Sequence, residues 1–374
     1  MTWLSEQFEL ARGAAPGAGH EGPSNIRPME GLRGFAVLLV FLVHYVTTIT
    51  PWLAPATPLF ALARALHTVG NSGVDLFFVL SGYLIYGSLI ARPQAIAGFL
   101  RRRLRRIYPA FSAVFLIYLA LSYAIPGESK IPAGLADGSL YLARNFLLLS
   151  GFDDKPPMIA VAWSLSYEML YYLTIPGVIA VFDLRRRGAA WRLAFLILAV
   201  GAAAAGFAVF GGPARLLMFA AGIFLVEAEG VALAPRPGGA LLALLLGLAC
   251  LLTGAALIVK VGALFAAFFW LCLACFHAPH GWLARGFSRT ALRWLGNMSY
   301  SYYLLHGLAL KVAFHALAAV VPASPQGPLF FWGLLTPMLI LTLLPPAALF
   351  LLVERPLSLA PRRAAAPALA AARP

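Results

Sequence analysis

The sequence predicts an all-α membrane protein, a polytopic helical bundle of about ten transmembrane helices. Hydrophobic residues make up 61% of the chain and charged residues only 11%, against about 45–50% and about 25% in soluble domains. Apolar runs of about 17 to 25 residues, long enough to cross a bilayer as helix, recur along the chain. The net charge of +14 lies mostly in short arginine clusters between these runs, so it indicates topology and not nucleic-acid binding.

The segments follow in a simple order. Residues 1–26 hold no apolar run and are predicted to be a disordered cytosolic leader. Residues 27–356 form the predicted membrane domain, and residues 357–374 are a short cytosolic tail rich in Ala, Pro and Arg. The candidate spans within the membrane domain are 34–50, 73–90, 107–125, 160–182, 190–210, 213–229, 238–258, 259–279, 295–321 and 328–353.

The basic residues predict the orientation of these spans. With a cytoplasmic N-terminus and ten crossings, 21 of the 28 Lys and Arg residues fall in segments on the inner side. Short cytoplasmic loops collect such residues. We therefore expect a multi-pass protein of the inner or plasma membrane, with both termini in the cytoplasm and the loop 127–159 outside.

The first span carries an ionisable ring. His44 follows Arg33 by 11 residues, which places it about 16 Å deeper in a hydrocarbon core about 30 Å thick. A polar ring at that depth must face the bundle interior or a hydrated cavity, so it is a functional candidate. The alternative is a histidine that bonds a neighbouring helix for packing.

Two later spans hold further buried ionisable groups. Glu168 lies about 8 Å inside the membrane if Trp163 marks the outer interface. It is either an acid, a base or a histidine partner, or a structural hydrogen-bonding group. His306 lies about 16 Å from the start of the ninth span, at a depth similar to that of His44, and is either catalytic or bonded structurally to nearby Tyr and Ser.

The second span offers weaker candidates. Asp75 lies near its outer end, where it is a candidate supporting residue or a helix cap. Ser81 precedes Gly82 near the middle, which favours close helix packing over a serine nucleophile. Tyr167 and Tyr300 are further candidates for supporting or substrate-binding roles. Three cysteines, all in apolar segments, are predicted to be packing residues.

The run FLRRRLRRIYP (99–109) is the most basic stretch of the chain. It is either an anchor on the inner side that touches anionic lipid or a phosphate site. Arg103 and Arg106 are three residues apart and so share a helical face, and paired guanidinium groups match phosphate oxygens. A cytosolic cosubstrate that carries phosphate is thus a candidate ligand.

Five stretches together resemble the acyltransferase-3 family of integral-membrane acyltransferases. They occur in the family's order and are RPMEGLRGFAVLLVFLVHY (27–45), GVDLFFVLSG (73–82), RRLRRIYP (102–109), WSLSYEMLYY (163–172) and LGNMSYSYYLLH (295–306). The resemblance implies that Arg33 and His44 are the signature pair of the first helix. It also implies that Arg103 and Arg106 hold the donor and that Glu168 is the acidic residue after the WSL motif. We expect no fused esterase-like domain after the last span, in contrast to some members of the family.

The family resemblance implies transfer of an acyl group, acetyl in the first instance, from cytosolic acyl-CoA to a hydroxyl of a glycan or lipid-linked sugar, without a metal. His44 would be the general base and Glu168 would orient it, unless an acyl-histidine relay carries the group across the membrane. The alternatives are transfer to a small-molecule secondary metabolite, a proton-coupled transporter, or a scaffold.

Overall fold

The computed structural model describes residues 3–9, 26–229 and 236–359, and within these ranges the chain is helical without β-strands. The all-α prediction is therefore confirmed. The helices are α1 (Trp3–Phe8), α2 (Ile26–Ile49), α3 (Pro58–Gly70), α4 (Ser72–Ala91), α5 (Ile96–Ala124), α6 (Leu135–Phe146), α7 (Ala162–Val181), α8 (Ala189–Phe210), α9 (Leu217–Ala228), α10 (Pro237–Leu251), α11 (Leu257–His277), α12 (Trp282–Phe287), α13 (Thr290–Asn297), α14 (Ser299–Val320), α15 (Pro328–Leu341) and α16 (Leu344–Leu349), followed by a π-helix (Phe350–Leu359).

Seven segments of the described chain are long and apolar enough to cross a membrane, which makes this a polytopic membrane protein. They are Arg27–Trp52, Pro58–Ala91, Ile96–Ala124, Ala189–Phe210, Leu257–His277, Ser299–Val320 and Pro328–Leu359. The predicted number of about ten is higher because it also counted α7, α9 and α10. Helix α9 has 12 residues and α10 has 15, so they reach about 18 Å and about 22 Å. Helix α7 has 20 residues, but its first half is rich in Ser, Tyr and Glu.

Helix α4 lies at the centre of the bundle, where thirteen of its twenty residues are buried. It packs against α9 without space for side chains at two glycines. A Cβ atom on Gly82 would stand 2.1 Å from the carbonyl oxygen of Phe219, and one on Gly222 would stand 2.0 Å from that of Val79. Small residues allow such close backbone approach. The packing role predicted around Gly82 is therefore confirmed.

Helix α2 packs equally closely against α13. A Cβ atom on Gly34 would stand 2.0 Å from the carbonyl oxygen of Leu292, and one on Gly296 would stand 1.7 Å from that of Glu30. This contact brings the Arg33 turn of α2 against the start of α14, which follows α13 after Met298. The glycines of two segments distant in sequence thus position the first charged residue of the site.

Three predicted boundaries differ from the structure. The first span begins at Ile26, so Arg33 lies inside α2 and not at its start. The arginine run belongs to α5, which begins at Ile96 and continues through Pro109 into the apolar part. The predicted ninth span is divided into α13 and α14 at Met298, so His306 is about 10 Å from the start of α14.

The N-terminal segment also departs from the prediction of a disordered leader. Residues 3–8 form α1, and the Phe8 ring lies 5.4 Å from that of Phe350 and 6.0 Å from that of Trp294. The Glu9 carboxylate pairs with Arg293 at 2.5 Å. This aromatic and ionic anchoring fixes residues that have no apolar run. Residues 10–25 and the predicted tail from residue 360 onward lie outside the described residues.

Candidate functional site

A cavity of about 110 Å³ opens between α2, α4, α5, α7 and α14, and we call it the arginine cavity. Its polar lining residues are Arg33, Ser81, Arg103, Arg106, Ser164, Glu168, Tyr172, Ser299, Tyr300 and Tyr303. Its remaining wall is apolar and comes mainly from α4, with Phe77 and Phe78 among the lining side chains. Three guanidinium groups face one carboxylate, so the lining favours an anionic ligand.

Arg33 is held in place from α13 and α14. Its Nε and Nη2 atoms donate to the Ser299 hydroxyl at 3.2 and 2.8 Å, and Nε also reaches the Gly296 carbonyl at 3.3 Å. All of these partners are uncharged. The positive charge of Arg33 therefore remains uncompensated by its own hydrogen-bond partners.

The arginines of α5 divide into two sets by their position on the helix. Arg103 and Arg106 are half-buried and line the cavity, whereas Arg101, Arg102 and Arg105 are exposed. This division confirms that Arg103 and Arg106 share one helical face, as their spacing of three predicts. Of the exposed three, Arg102 donates to the Gln94 side chain and Arg105 to the Leu357 carbonyl, outside the cavity.

A buried carboxylate fixes one of the two inward arginines. The Glu354 side chain, fully buried in the π-helix, accepts from Nη1 of Arg106 at 2.6 Å and from the amide and hydroxyl of Ser301 at 3.1 and 2.5 Å. Single π-helical turns inside helices often occur at functional sites. Arg103 has no such acidic partner among the described residues and instead lies over the Tyr172 ring, 5.4 Å from its centroid.

Glu168 lies in the arginine cavity and does not contact His44. Its Oε1 atom accepts from the Ser81 hydroxyl at 3.1 Å and from the Tyr172 hydroxyl at 2.5 Å. The predicted pairing of Glu168 with His44 is wrong. Although both groups lie deep in the bundle, α7 turns this carboxylate toward the arginines of α5.

A second cavity, of about 510 Å³, lies toward the other end of α5 and α14, and we call it the histidine cavity. Its polar and charged lining residues are His44, Tyr118, Ser122, Glu128, Lys130, Tyr303, Lys311 and His315. On α5, Ser122 follows Arg103 by 19 residues, or about 28 Å along the helix. The two cavities therefore lie near opposite ends of one bundle.

His44 packs against the second predicted histidine, His306, which is fully buried and does not itself line this cavity. The ring centroids of His44 and His306 are 4.8 Å apart at an interplanar angle of 71°. The prediction that the two residues lie at similar depth is confirmed. Nδ1 of His306 is 2.8 Å from the Tyr302 carbonyl, which requires a proton on Nδ1. Nε2 is then an acceptor, and it is buried without a hydrogen-bond partner in the described part of the chain.

Among the described residues, Tyr303 alone lines both cavities. Its hydroxyl lies 2.7 Å from that of Ser164 and 3.2 Å from the Val161 carbonyl. Ser164 lines the arginine cavity and Val161 lines the histidine cavity. The Tyr303 side chain therefore forms part of a wall common to the two spaces.

Comparison with known proteins identifies the family of this chain. A family model described as an acyltransferase domain (Acyl_transf_3) matches residues 27–350, which is most of the chain and includes both cavities. The chain belongs to the acyltransferase-3 family. No solved structure matches it.

Several acyltransferase-3 relatives are similar over part or most of the chain. The acyltransferase MdmB of Streptomyces mycarofaciens is 34% identical over 40% of this chain and 38% of its own. The O-acetyltransferase OatA of Staphylococcus aureus is 31% identical over 42% of this chain and 25% of its own. The exopolysaccharide production protein ExoZ of Rhizobium meliloti is 29% identical over 78% of this chain and 90% of its own. The chain thus matches well under half the length of the first two relatives.

Asp75 has a structural partner in this acyltransferase domain. Both of its carboxylate oxygens accept from Arg215 at 2.8 Å, and Arg215 also donates to the Asn71 carbonyl at 2.7 Å. Asp75 lines neither of the two cavities described above. The ion pair joins the first turn of α4 to the turn before α9, which is a different role from the predicted helix cap.

The two tyrosines predicted as supporting residues take different positions. Tyr167 stacks on the rings of Phe78 and Phe152, with centroids 6.1 and 5.5 Å away, and lies outside the lining of both cavities. Tyr300 lines the arginine cavity and donates to the Ile107 carbonyl at 2.9 Å. Only Tyr300 is therefore in a position to meet a ligand.

Sequence reasoning missed several side chains that line or support the two cavities. They are Lys130, Tyr172, Ser299, Tyr303, Lys311 and Glu354. Glu354 carries a detectable signal, because it is a carboxylate at the end of the last apolar span and meets the criterion used for Glu168. The others carry none, since Ser, Tyr and interfacial Lys are common in membrane helices.

Proposed function

We propose that this protein is a membrane O-acyltransferase that moves an acyl group, acetyl in the first instance, from cytosolic acyl-CoA to a hydroxyl of a glycan or lipid-linked sugar. One observation carries the proposal. An arginine-lined cavity and a histidine-lined cavity lie near opposite ends of the bundle and share Tyr303 as a common wall. A donor and an acceptor that enter from opposite sides of a membrane need such an arrangement.

The donor would bind through its phosphates. Arg33, Arg103 and Arg106 surround the arginine cavity, and guanidinium groups form charge-assisted hydrogen bonds with phosphate oxygens. The positive-inside rule assigns this arginine-rich end to the cytoplasm, where CoA esters are made available. Along α2, Arg33 and His44 are about 16 Å apart, so the flexible pantetheine arm would carry the thioester from one group toward the other.

His44 would act as the general base. Its neutral imidazole takes the proton of the acceptor hydroxyl while the hydroxyl oxygen attacks the thioester carbonyl carbon. The carbon–sulfur bond then breaks, and the imidazolium returns the proton to the leaving thiolate. General-base catalysis of this kind is worth about 10² to 10⁴ in rate.

His306 is the group that would orient His44. The acceptor nitrogen of its ring is unpaired among the described residues, and the two rings are in contact, with centroids 4.8 Å apart. A hydrogen bond from one ring nitrogen of His44 to this acceptor would leave the other nitrogen free to take the proton. Glu168, placed among the arginines, would instead position the donor through Ser81 and Tyr172.

An acyl-histidine relay is a second route through the same residues. In it, His44 attacks the thioester, CoA leaves, and the acceptor hydroxyl then takes the acyl group from the imidazole. Incubating the protein with labelled acyl-CoA in the absence of acceptor, and then measuring the label bound to the protein, separates the two routes. Label retained on the protein supports the relay, and no label supports direct transfer.

The proposal is tested with purified protein in nanodiscs, a panel of labelled acyl-CoA donors, and acceptors that include glycans, lipid-linked sugars and small-molecule alcohols. Arg103→Ala combined with Arg106→Ala should weaken donor binding by roughly tenfold or more, because charge-assisted bonds are lost. The control, Arg101→Ala with Arg102→Ala, removes the same charge from exposed positions and should bind as wild type does. Equal donor affinity in both double variants, or no transfer with any pair, would contradict the proposal.

A further inference from the structure

The histidine cavity carries basic side chains that the proposed transfer does not use. Lys130, Lys311 and His315 line it together with Glu128. The chain has four lysines among its 28 Lys and Arg residues, and two of those four line this one cavity. General basicity of the chain does not account for such a concentration, because the other basic residues are mostly arginines at the opposite end.

The two lysines of the histidine cavity differ in whether a carboxylate neutralises their charge. Lys311 forms an ion pair with Glu128. Lys130 donates to the Pro157 carbonyl at 2.8 Å and so gains no opposite charge from that partner. Partial burial and, to a lesser extent, the neighbouring charge of Lys311 lower the pKa of Lys130 below its usual value. Lys311 thus has a carboxylate partner and Lys130 has only a carbonyl, and an anion between the two amines would relieve their repulsion.

The rest of the lining is mostly apolar. Its apolar side chains include Leu121 and Ile125 from the end of α5 and Leu304, Leu308 and Val312 from α14. Val312 is also 62% exposed, and Ile125, directly after α5, is 51% exposed. A ligand that fills this cavity would therefore combine an apolar part with a charged part.

We propose that the acceptor bound in the histidine cavity carries an anionic group, a phosphate or a carboxylate, which lies between Lys130 and Lys311 while its hydroxyl reaches His44. This inference rests on the proposed function for the presence of an acceptor. It adds the chemical class of that acceptor, an amphipathic anion. A lipid phosphate would supply both the charge and the apolar part, whereas a uronic acid would supply the charge alone.

Direct binding tests the proposal without requiring acyl transfer. The probes are decyl phosphate, glucuronic acid and the neutral decyl glucoside, titrated into the 374-residue protein in nanodiscs of zwitterionic lipid. Decyl phosphate should bind about tenfold more tightly than decyl glucoside, the difference expected from charge-assisted bonds. Lys130→Gln and Lys311→Gln should remove most of that preference, and Lys260→Gln, whose amine does not line the cavity, should keep it.

A variant that should increase the affinity is the control for misfolding, because a misfolded protein would only lose affinity. Glu128 has an exposed carboxylate that competes for Lys311, so Glu128→Gln should increase the affinity for decyl phosphate.

Binding of glucuronic acid that depends on the same lysines would assign the anion to the sugar, and binding of decyl phosphate alone would assign it to the lipid. Equal affinity for charged and neutral probes, or a preference unchanged in both lysine variants, would overturn the proposal. Selective anion binding without any acyl transfer would instead refute the proposed function.

Discussion

At the scale of single residues, the proposed role of His44 as general base gives the most direct test of the mechanism. Gln keeps a hydrogen-bonding group of similar reach but does not accept the proton. His44→Gln should therefore leave folding and acyl-CoA binding nearly unchanged and reduce turnover by about 10² or more. Turnover per folded molecule, measured in nanodiscs together with a melting curve, provides the check.

The neighbouring histidine supplies the control for this prediction. His306→Gln should cause a smaller loss, and the double variant should fall little further than His44→Gln alone, because residues that act as a unit are not additive. A packing histidine would behave in the opposite way, since its loss would lower stability while activity per folded molecule persisted. Near-wild-type turnover of His44→Gln would reject its role as the base.

Glu354 allows a prediction about stability. Its carboxylate is fully buried and bonded to Arg106 and Ser301, so Glu354→Gln replaces charged hydrogen bonds by weaker ones in a site that water does not reach. Hydrogen bonds to charged groups contribute about 1.5–3 kcal/mol, and we expect a loss of that order in the free energy of unfolding. Denaturant titration in mixed micelles would measure it.

The surface pair of Asp183 with Arg186 is the matched comparison, because both side chains are more than half exposed. Asp183→Asn should change the free energy of unfolding by less than about 0.5 kcal/mol. If the two amide variants were equally stable, the ion pair at Glu354 would contribute no more than a surface pair.

At the scale of helices, the contact between α4 and α9 determines whether the arginine cavity keeps its shape. Gly222→Ala would force a methyl group to within 2.0 Å of the Val79 carbonyl oxygen and 2.4 Å of the Tyr83 amide nitrogen. Both are backbone atoms, so the helices must separate. We expect a loss of about 1–3 kcal/mol in stability, the usual effect of overpacking.

Helix α8 provides the corresponding control. A Cβ atom on Gly206 would meet nothing within 4 Å, because only Leu196 of this helix is buried in the bundle. Gly206→Ala should be neutral or stabilise the protein by up to about 1 kcal/mol, since alanine favours helix. The thermal midpoints of the two variants in the same detergent test the contrast, which vanishes if close packing at Gly222 is unimportant.

At the scale of the whole molecule, the orientation in the membrane decides which substrate reaches which cavity. With ten crossings, the positive-inside rule predicts that both termini and the arginine cavity face the cytoplasm, and that the loop containing Lys155 faces outward. A reporter fused after residue 374 should give a cytoplasmic signal, and a tag inserted near Lys155 should be accessible from outside. The reverse pattern would bring acyl-CoA to the wrong cavity and would contradict the mechanism.

Composition and spacing alone determined the class of this protein. Apolar runs predicted a helical membrane bundle, because a bilayer requires every backbone group to be paired within a helix. The helical period put Arg103 and Arg106 on one face, and distance along the helix put His44 and His306 at one depth. The resemblance to the acyltransferase-3 family likewise rests on five stretches that can be read directly from the sequence. These inferences depend only on the repeat of a helix and the thickness of a membrane.

The tertiary structure decided which polar groups meet. Depth along a span does not give the direction in which a side chain points, so Glu168 was paired with His44 although α7 directs it toward Ser81, Tyr172 and the arginines. The Glu354 bond to Arg106 joins positions 248 residues apart. Only the packing of helices, fixed by glycines and buried ion pairs distant in sequence, divides the polar residues between two cavities and leaves Tyr303 between them.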